Sequence, residues 1–211
     1  MRKQHSLPYL VGLTGSIGMG KTETGKLFAQ LGIPVFDSDS VVRALYEPGG
    51  EAVLPIATAF PGTVRDGKVD RTGLAAELAR EPAAFARLEA IVHPLVRQAR
   101  DHFVRAAAER GDELVVIDIP LLFETGAQHH VDAVVVVSAP ADVQAKRVLS
   151  RAGMTPEKLE MLHARQVPDA EKRAKADFVI ETDKGLAQAF VEVKRVAAEL
   201  RARAKHRPPN A

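Results

Sequence analysis

The 211-residue chain has no cysteine and no tryptophan, and only two tyrosines. Without cysteine there is no disulfide, no thiolate metal site and no cysteine nucleophile. A reducing compartment suits such a chain, so a cytoplasmic location is expected. The scarcity of aromatics weakens any case for a base-stacking platform. Neither sign of charge dominates, since 29 basic and 27 acidic residues leave +2. A general nucleic-acid binder carries a larger, clustered excess, so no nucleic acid is expected as a partner. No stretch approaches the ~20 apolar residues that span a bilayer, so no membrane is expected either. Met1-Arg2-Lys3 ahead of an uncharged stretch looks like a secretion signal. Its apolar part, Tyr9 to Leu13, is short and interrupted, and no small-residue cleavage pattern precedes Lys21. It reads instead as a first strand and a loop.

What remains is an ordinary soluble composition, 46% hydrophobic and 27% charged, on a length that fits one domain with small insertions. Leu10 to Thr14 predicts a buried strand, Gly15 to Gly20 a glycine-rich turn, and Lys21 to Leu31 a helix closed by Gly32. Ile33 to Phe36 predicts a second strand. Strands return at Leu114–Ile117, Val131–Val137 and Phe178–Ile180. The first two of these are continuous apolar runs rich in β-branched residues, as in strands buried on both faces. The expected fold is therefore α/β, a parallel sheet covered by helices. Residues 40–110 are alanine-rich and read as a helical subdomain inserted into the sheet domain. Leu186, Phe190, Val193, Ala197 and Leu200 step by four and three, so a last helix buries that stripe. The basic end, Arg201 to Ala211, reads as a solvated tail.

Gly15-Ser16-Ile17-Gly18-Met19-Gly20-Lys21-Thr22 matches G-x-x-x-x-G-K-[ST], between a strand and a helix. Glycines let the backbone wrap closely around phosphate. Successive N–H groups then form an anion-binding nest, and the following helix N-terminus adds favourable potential. Lys21 can bridge the outer phosphates, and the Thr22 hydroxyl can ligate Mg²⁺. The N–H of Glu23 can face the inner phosphate.

Acidic residues follow the strands. Asp37 and Asp39, two apart in extended chain, share a face beyond the second strand, where open α/β sheets place ligands. Either can accept a hydroxyl proton or help hold Mg²⁺; the alternative is an N-cap for a helix near Val41. Asp118 ends the third strand like a metal-holding aspartate. Glu124, in Pro120-Leu121-Leu122-Phe123-Glu124, can line the same cleft. Arg147 and Arg151 lie one turn apart, with Arg165 on the next helix, an arrangement that suits a lid neutralising a transferring phosphate. His93 and Arg97 share a face of a helix beginning near His93 and can bind phosphate or diphosphate.

These segments resemble the dephospho-CoA kinase family: Gly12 to Thr22, Phe36-Asp37-Ser38-Asp39, His93-Pro94-Leu95-Val96-Arg97, Asp118 to Glu124, and Ala176 to Ile180, in order over nearly the whole chain. The resemblance implies a P-loop kinase fold with a five-stranded parallel sheet (about 8–39, 111–140 and 176–204), a helical CoA-binding insertion (about 40–110) and a lid (about 141–175). It implies transfer of the γ-phosphoryl group of ATP to the ribose 3′-hydroxyl of dephospho-CoA, with Mg²⁺ and no obligate protein partner. The family's base falls on Asp39 and its lid arginine on Arg147; Leu121 and Glu124, with His93 and Arg97, fall on the acceptor side. Ser16 and Met19 depart from the family's glycine and small residue, at free positions of the loop pattern. Thr182 stands where an asparagine usually follows the fifth strand, which leaves base contacts there open.

Two other readings compete. A GTPase switch draws on Asp70-Arg71-Thr72-Gly73, but no Asn-Lys-x-Asp accompanies it, and Asp70 reads better as a helix N-cap. Another small-molecule or nucleotide kinase is the nearer alternative, because only the resemblance names the acceptor.

Overall fold

The computed structural model describes residues 7–81 and 83–207. In chain order come β1 (Tyr9–Thr14), α1 (Lys21–Gln30), β2 (Val35–Asp37), α2 (Ser38–Tyr46), α3 (Val53–Ala59), β3 (Val64–Arg65), β4 (Lys68–Val69), α4 (Arg71–Arg80), α5 (Ala84–Arg110), β5 (Leu114–Asp118), β6 (Ala133–Ser138), α6 (Ala141–Leu149), α7 (Pro156–His163), α8 (Asp169–Ala174), β7 (Phe178–Glu181) and α9 (Gly185–Lys205). A 3₁₀ turn covers Ala127–His130. The segments Met1–Ser6 and Pro208–Ala211, and with them the ends of the leader and tail expectations, lie outside the described residues.

The chain divides into two compact units. The first holds residues up to Phe36 and from Val104 onward. Its five strands form one parallel sheet in the order β2-β5-β1-β6-β7, the expected fold class. Every residue of β5 and β6 is buried, as their unbroken apolar runs predict. One side of the sheet packs Phe28 of α1 and Val193, Val196, Ala197 and Leu200 of α9 against Val11, Leu13, Val116 and Val135. The last helix buries the expected stripe except at its start, where Leu186 is 59% exposed. That residue serves a cleft and not the core.

The second unit spans Asp37–Phe103. Its own core gathers Tyr46, Val53, Ile56, Phe60, Val69, Leu74, Leu78 and Val92. It is helical apart from an antiparallel hairpin, β3 with β4, that the alanine-rich pattern hid. Asp66 and Gly67 make its tight turn with φ of 49° and 74°. Asp70 caps α4, accepting from the amides of Thr72 and Gly73 at 3.1 Å each, as expected. Contrary to expectation, the helix through His93 begins at Ala84 and runs through Pro94. Pro94 faces solvent, so its ring and missing N–H are tolerated where water can satisfy the freed carbonyl.

Candidate active site

The phosphate loop hangs between β1 and α1 and is held from three sides. Gly15 lies so close to β6 that an added Cβ would stand 2.4 Å from Val137 Cγ2 and 2.7 Å from its carbonyl oxygen. Only glycine lets the loop leave the sheet at that point. Gly18 and Gly20 take φ of 78° and 90°, and Gly20 caps α1 in the left-handed region. Met19 turns inward, 2% exposed, and its sulfur accepts the Ala139 amide at 3.1 Å. The departure from a small residue is thus absorbed by the core.

The ammonium of Lys21 meets the carboxylate of Asp118. Leu13 and Asp118 are register partners of β1 and β5, so the sheet itself delivers the aspartate to the loop lysine. Asp118 is 8% exposed. Thr22 is exposed in the first turn of α1, and Glu23, also exposed, pairs with Lys26 at 2.7 Å.

Arg147 reaches the loop from α6. Its Nη1 donates to Thr182 Oγ1 at 3.0 Å and Gly18 O at 3.4 Å, and its Nη2 donates to Thr182 O at 2.7 Å. The Thr182 hydroxyl donates to Met19 O at 2.8 Å. Threonine at this position therefore ties arginine, fifth strand and phosphate loop together. A cleft of about 360 Å³ lies here, lined in part by Gly18, Glu23, Arg147, Thr182 and Leu186. Thr24, Leu27 and Ala189 also line it, and no motif marked them. Arg151 lines it too, while Arg165 is exposed.

Glu124 is engaged differently from expectation. Its Oε1 accepts the Val167 amide at 2.8 Å and lies 3.0 Å from the ammonium of Lys172, which is completely buried. Burial opposes the carboxylate's charge, but Lys172, the Glu124 amide and the Val167 amide outweigh it and hold its pKa below the ordinary value. Glu124 thereby fastens the segment leading into α8. Leu121 is 41% exposed and offers its carbonyl to Thr125.

Asp39, His93 and Arg97 belong to the second unit. Helix α2 starts at Ser38, three residues earlier than expected, so Asp37 and Asp39 do not share an extended face. Asp37 is the cap: it accepts from Ser40 N at 3.1 Å and Ser40 Oγ at 2.7 Å, with Arg43 at 3.6 Å. Burial opposes its charge, yet the two Ser40 bonds and Arg43 lower its pKa. Asp39 is exposed in the first turn of α2, and its carboxylate has no partner among the described residues. His93 and Arg97 are both exposed, one turn apart on α5.

A parallel sheet whose first strand runs through this loop into a helix, with the loop lysine against an aspartate of the neighbouring strand, defines a P-loop kinase. The family model for dephospho-CoA kinase matches residues 9–188. The chain belongs to the dephospho-CoA kinase family. It is 52% identical over 193 residues to a dephospho-CoA kinase of Rhizobium etli, covering 92% of this chain and 94% of that one. With the Mesorhizobium japonicum dephospho-CoA kinase it shares 54% over 192 residues, 91% and 96% of the two chains. The solved structure of TT1252 from Thermus thermophilus superposes with a TM-score of 0.76 at 33% identity, covering 92% of this chain and 98% of that one. A dephospho-CoA kinase structure from Campylobacter jejuni, 22% identical over 92% of this chain and 97% of its own, shares the fold with a TM-score of 0.66.

Proposed function

We propose that the chain transfers the γ-phosphoryl group of ATP to the ribose 3′-hydroxyl of dephospho-CoA, giving CoA and ADP. The observation that carries the reading is the phosphate loop with Lys21 set against Asp118 at the end of the adjacent strand. The loop from Gly15 to Glu23 cradles the phosphates with its other main-chain amides, those of Ile17 and Met19 being held by Gln166 Oε1 and Ser16 O, and Lys21 and Arg147 balance charge on the outer phosphates. The bond from γ-phosphorus to the β–γ bridging oxygen breaks, and ADP leaves with the electron pair. The bond to the 3′-oxygen forms, and Asp39 accepts the hydroxyl proton late in transfer. An exposed, unpartnered carboxylate suits that task better than Asp37, whose oxygens are committed to Ser40. His93 and Arg97 bind anionic groups of the acceptor. Leu121 and Glu124 belong to the acceptor side. Residues 141–175 act as the lid.

Mg²⁺ fits the donor set. Thr22 supplies a hydroxyl and Asp118 a carboxylate, two oxygen donors next to Lys21. That is the pattern of a cation shared with substrate phosphates. When bound, Mg²⁺ neutralises phosphate charge. No helix among the described residues is long and apolar enough to cross a membrane, and we place the enzyme in the cytoplasm.

The test is ATP consumption by the purified chain against dephospho-CoA, AMP and free nucleosides. Consumption with dephospho-CoA alone, and a product phosphorylated at the 3′ position, is the expected result. Turnover of AMP or a nucleoside in its place would overturn the acceptor assignment.

A further inference from the structure

Both polar groups of Ile17 are held by glutamines from outside the loop. Its carbonyl accepts from Gln144 Nε2 at 2.7 Å, and its amide donates to Gln166 Oε1 at 3.3 Å. Gln144 sits on α6 and is 5% exposed. Gln166 lies in the connection between α7 and α8, half-buried, beside Val167, whose amide Glu124 holds. So the main chain at 166–167 is fixed by Glu124 while the side chain of Gln166 reaches the phosphate loop.

The two glutamines differ in what they have left. An N–H can only face an acceptor, so the Gln166 carboxamide must turn its oxygen to Ile17. Its Nε2, with two N–H donors, has no hydrogen bond among the described residues. Those donors stand beside a loop whose amides converge on an anion. A carboxamide combines acceptor and donors without charge. It can therefore occupy a loop amide and also donate to phosphate oxygen.

We propose that Gln166 is a further catalytic residue, whose Nε2 donates a hydrogen bond to an oxygen of the outermost phosphate as that group transfers. The proposal rests on the reading of Gly15–Thr22 as the nucleotide site. The residue takes no proton and forms no bond; it stabilises charge that develops on the phosphoryl oxygens, as a fixed neutral donor does in other transfer reactions. The Glu124–Val167 contact keeps the donor in register with the loop.

Two variants separate this from a structural role. Gln166→Met keeps side-chain length and removes acceptor and donors. Gln166→Glu keeps an acceptor for the Ile17 amide, removes the donors and adds a negative charge, so ATP affinity is measured for it as well and its transfer is compared with that of the neutral Gln166→Met. Single-turnover transfer at saturating ATP and dephospho-CoA is expected to fall about 10²-fold in both. ATP affinity in Gln166→Met should stay within about threefold, because the contact strengthens in transfer and not in binding. Hydrogen exchange at Ile17 without nucleotide should speed up in Gln166→Met and stay protected in Gln166→Glu. That contrast shows the loop intact while transfer fails. A folded Gln166→Glu that transfers within twofold of wild type overturns the proposal. So does a Gln166→Met whose loss lies in ATP affinity alone. Lys21→Ala, with Gln166 intact, tests the underlying reading: unchanged ATP binding there would overturn the nucleotide site and the proposal with it. Loss of binding there alongside normal transfer by Gln166→Glu would overturn the proposal alone.

Discussion

Lys172→Met should destabilise the protein by about 3 kcal/mol at neutral pH. The lysine is completely buried, and its ammonium stands 3.0 Å from Oε1 of Glu124, whose side chain is 14% exposed. Methionine replaces most of the apolar stem, so little packing is lost. What changes is that Glu124 keeps its charge without its cation. Breaking a buried pair by removing one partner costs roughly 3–5 kcal/mol. The lower end applies here, because Glu124 retains the Val167 amide at 2.8 Å. For a chain of this size, such a loss lowers Tm by about 6–12 °C. Glu124→Gln should cost a similar amount by stranding the lysine. The double variant should cost no more than either single change, a coupling of about 3 kcal/mol. The pH dependence has a definite sign. The folded pKa of Glu124 is depressed below its ordinary 4.5. Its contribution is therefore fully present above that value and is lost as pH falls through the folded pKa. The gap between wild type and Lys172→Met should accordingly narrow in acid below about pH 4.5. Urea unfolding of the four proteins across about pH 3.5–7 reads all of this. Additive single variants, or a gap that widens in acid, would refute the ion-pair account.

Lys21→Ala should lower turnover by about a hundredfold or more. It should also cost a little stability, since Asp118 loses the ammonium beside it; steady-state assay and thermal melting read the two effects. Asp39→Asn should reduce kcat by about 10²–10⁴-fold with ATP affinity little changed. Asp37→Asn should cost far less in kcat and only about a few tenths of a kcal/mol of stability, since asparagine caps about as well as aspartate; single-turnover transfer at saturating substrates would show the roles reversed if Asp37→Asn is the crippled one. Thr182→Val removes the hydroxyl that joins Arg147 to Met19 O. It should cost about 1–3 kcal/mol and shift kcat in the direction of Arg147→Ala, and an unchanged melting curve would argue against that bridge.

Local sequence determined a good part of this protein. The G-x-x-x-x-G-K-T run needs only its glycines and the following helix start to form a phosphate nest. The unbroken apolar runs Leu114–Ile117 and Ala133–Val137 could lie only inside a covered sheet. Asp70 announces its helix because capping is decided within four residues.

Tertiary structure decided the rest, because it depends on partners far away in the chain. Nothing near Lys21 reveals that Asp118 meets it; the register of β1 with β5 does that. Nothing near Glu124 marks its partner as Lys172, since a lysine 48 positions on is surface charge by default until the fold buries it. The helix through Pro94 begins nine residues earlier than the motif suggests, because packing of Val92 and its neighbours outweighs one missing N–H. Gln144 and Gln166 carry no periodicity and no charge, so they stay silent until the chain brings both to Ile17. Short-range hydrogen bonds and hydrophobic period are written in neighbouring residues, whereas the pairing of side chains across the sheet exists only once loop closure has joined them.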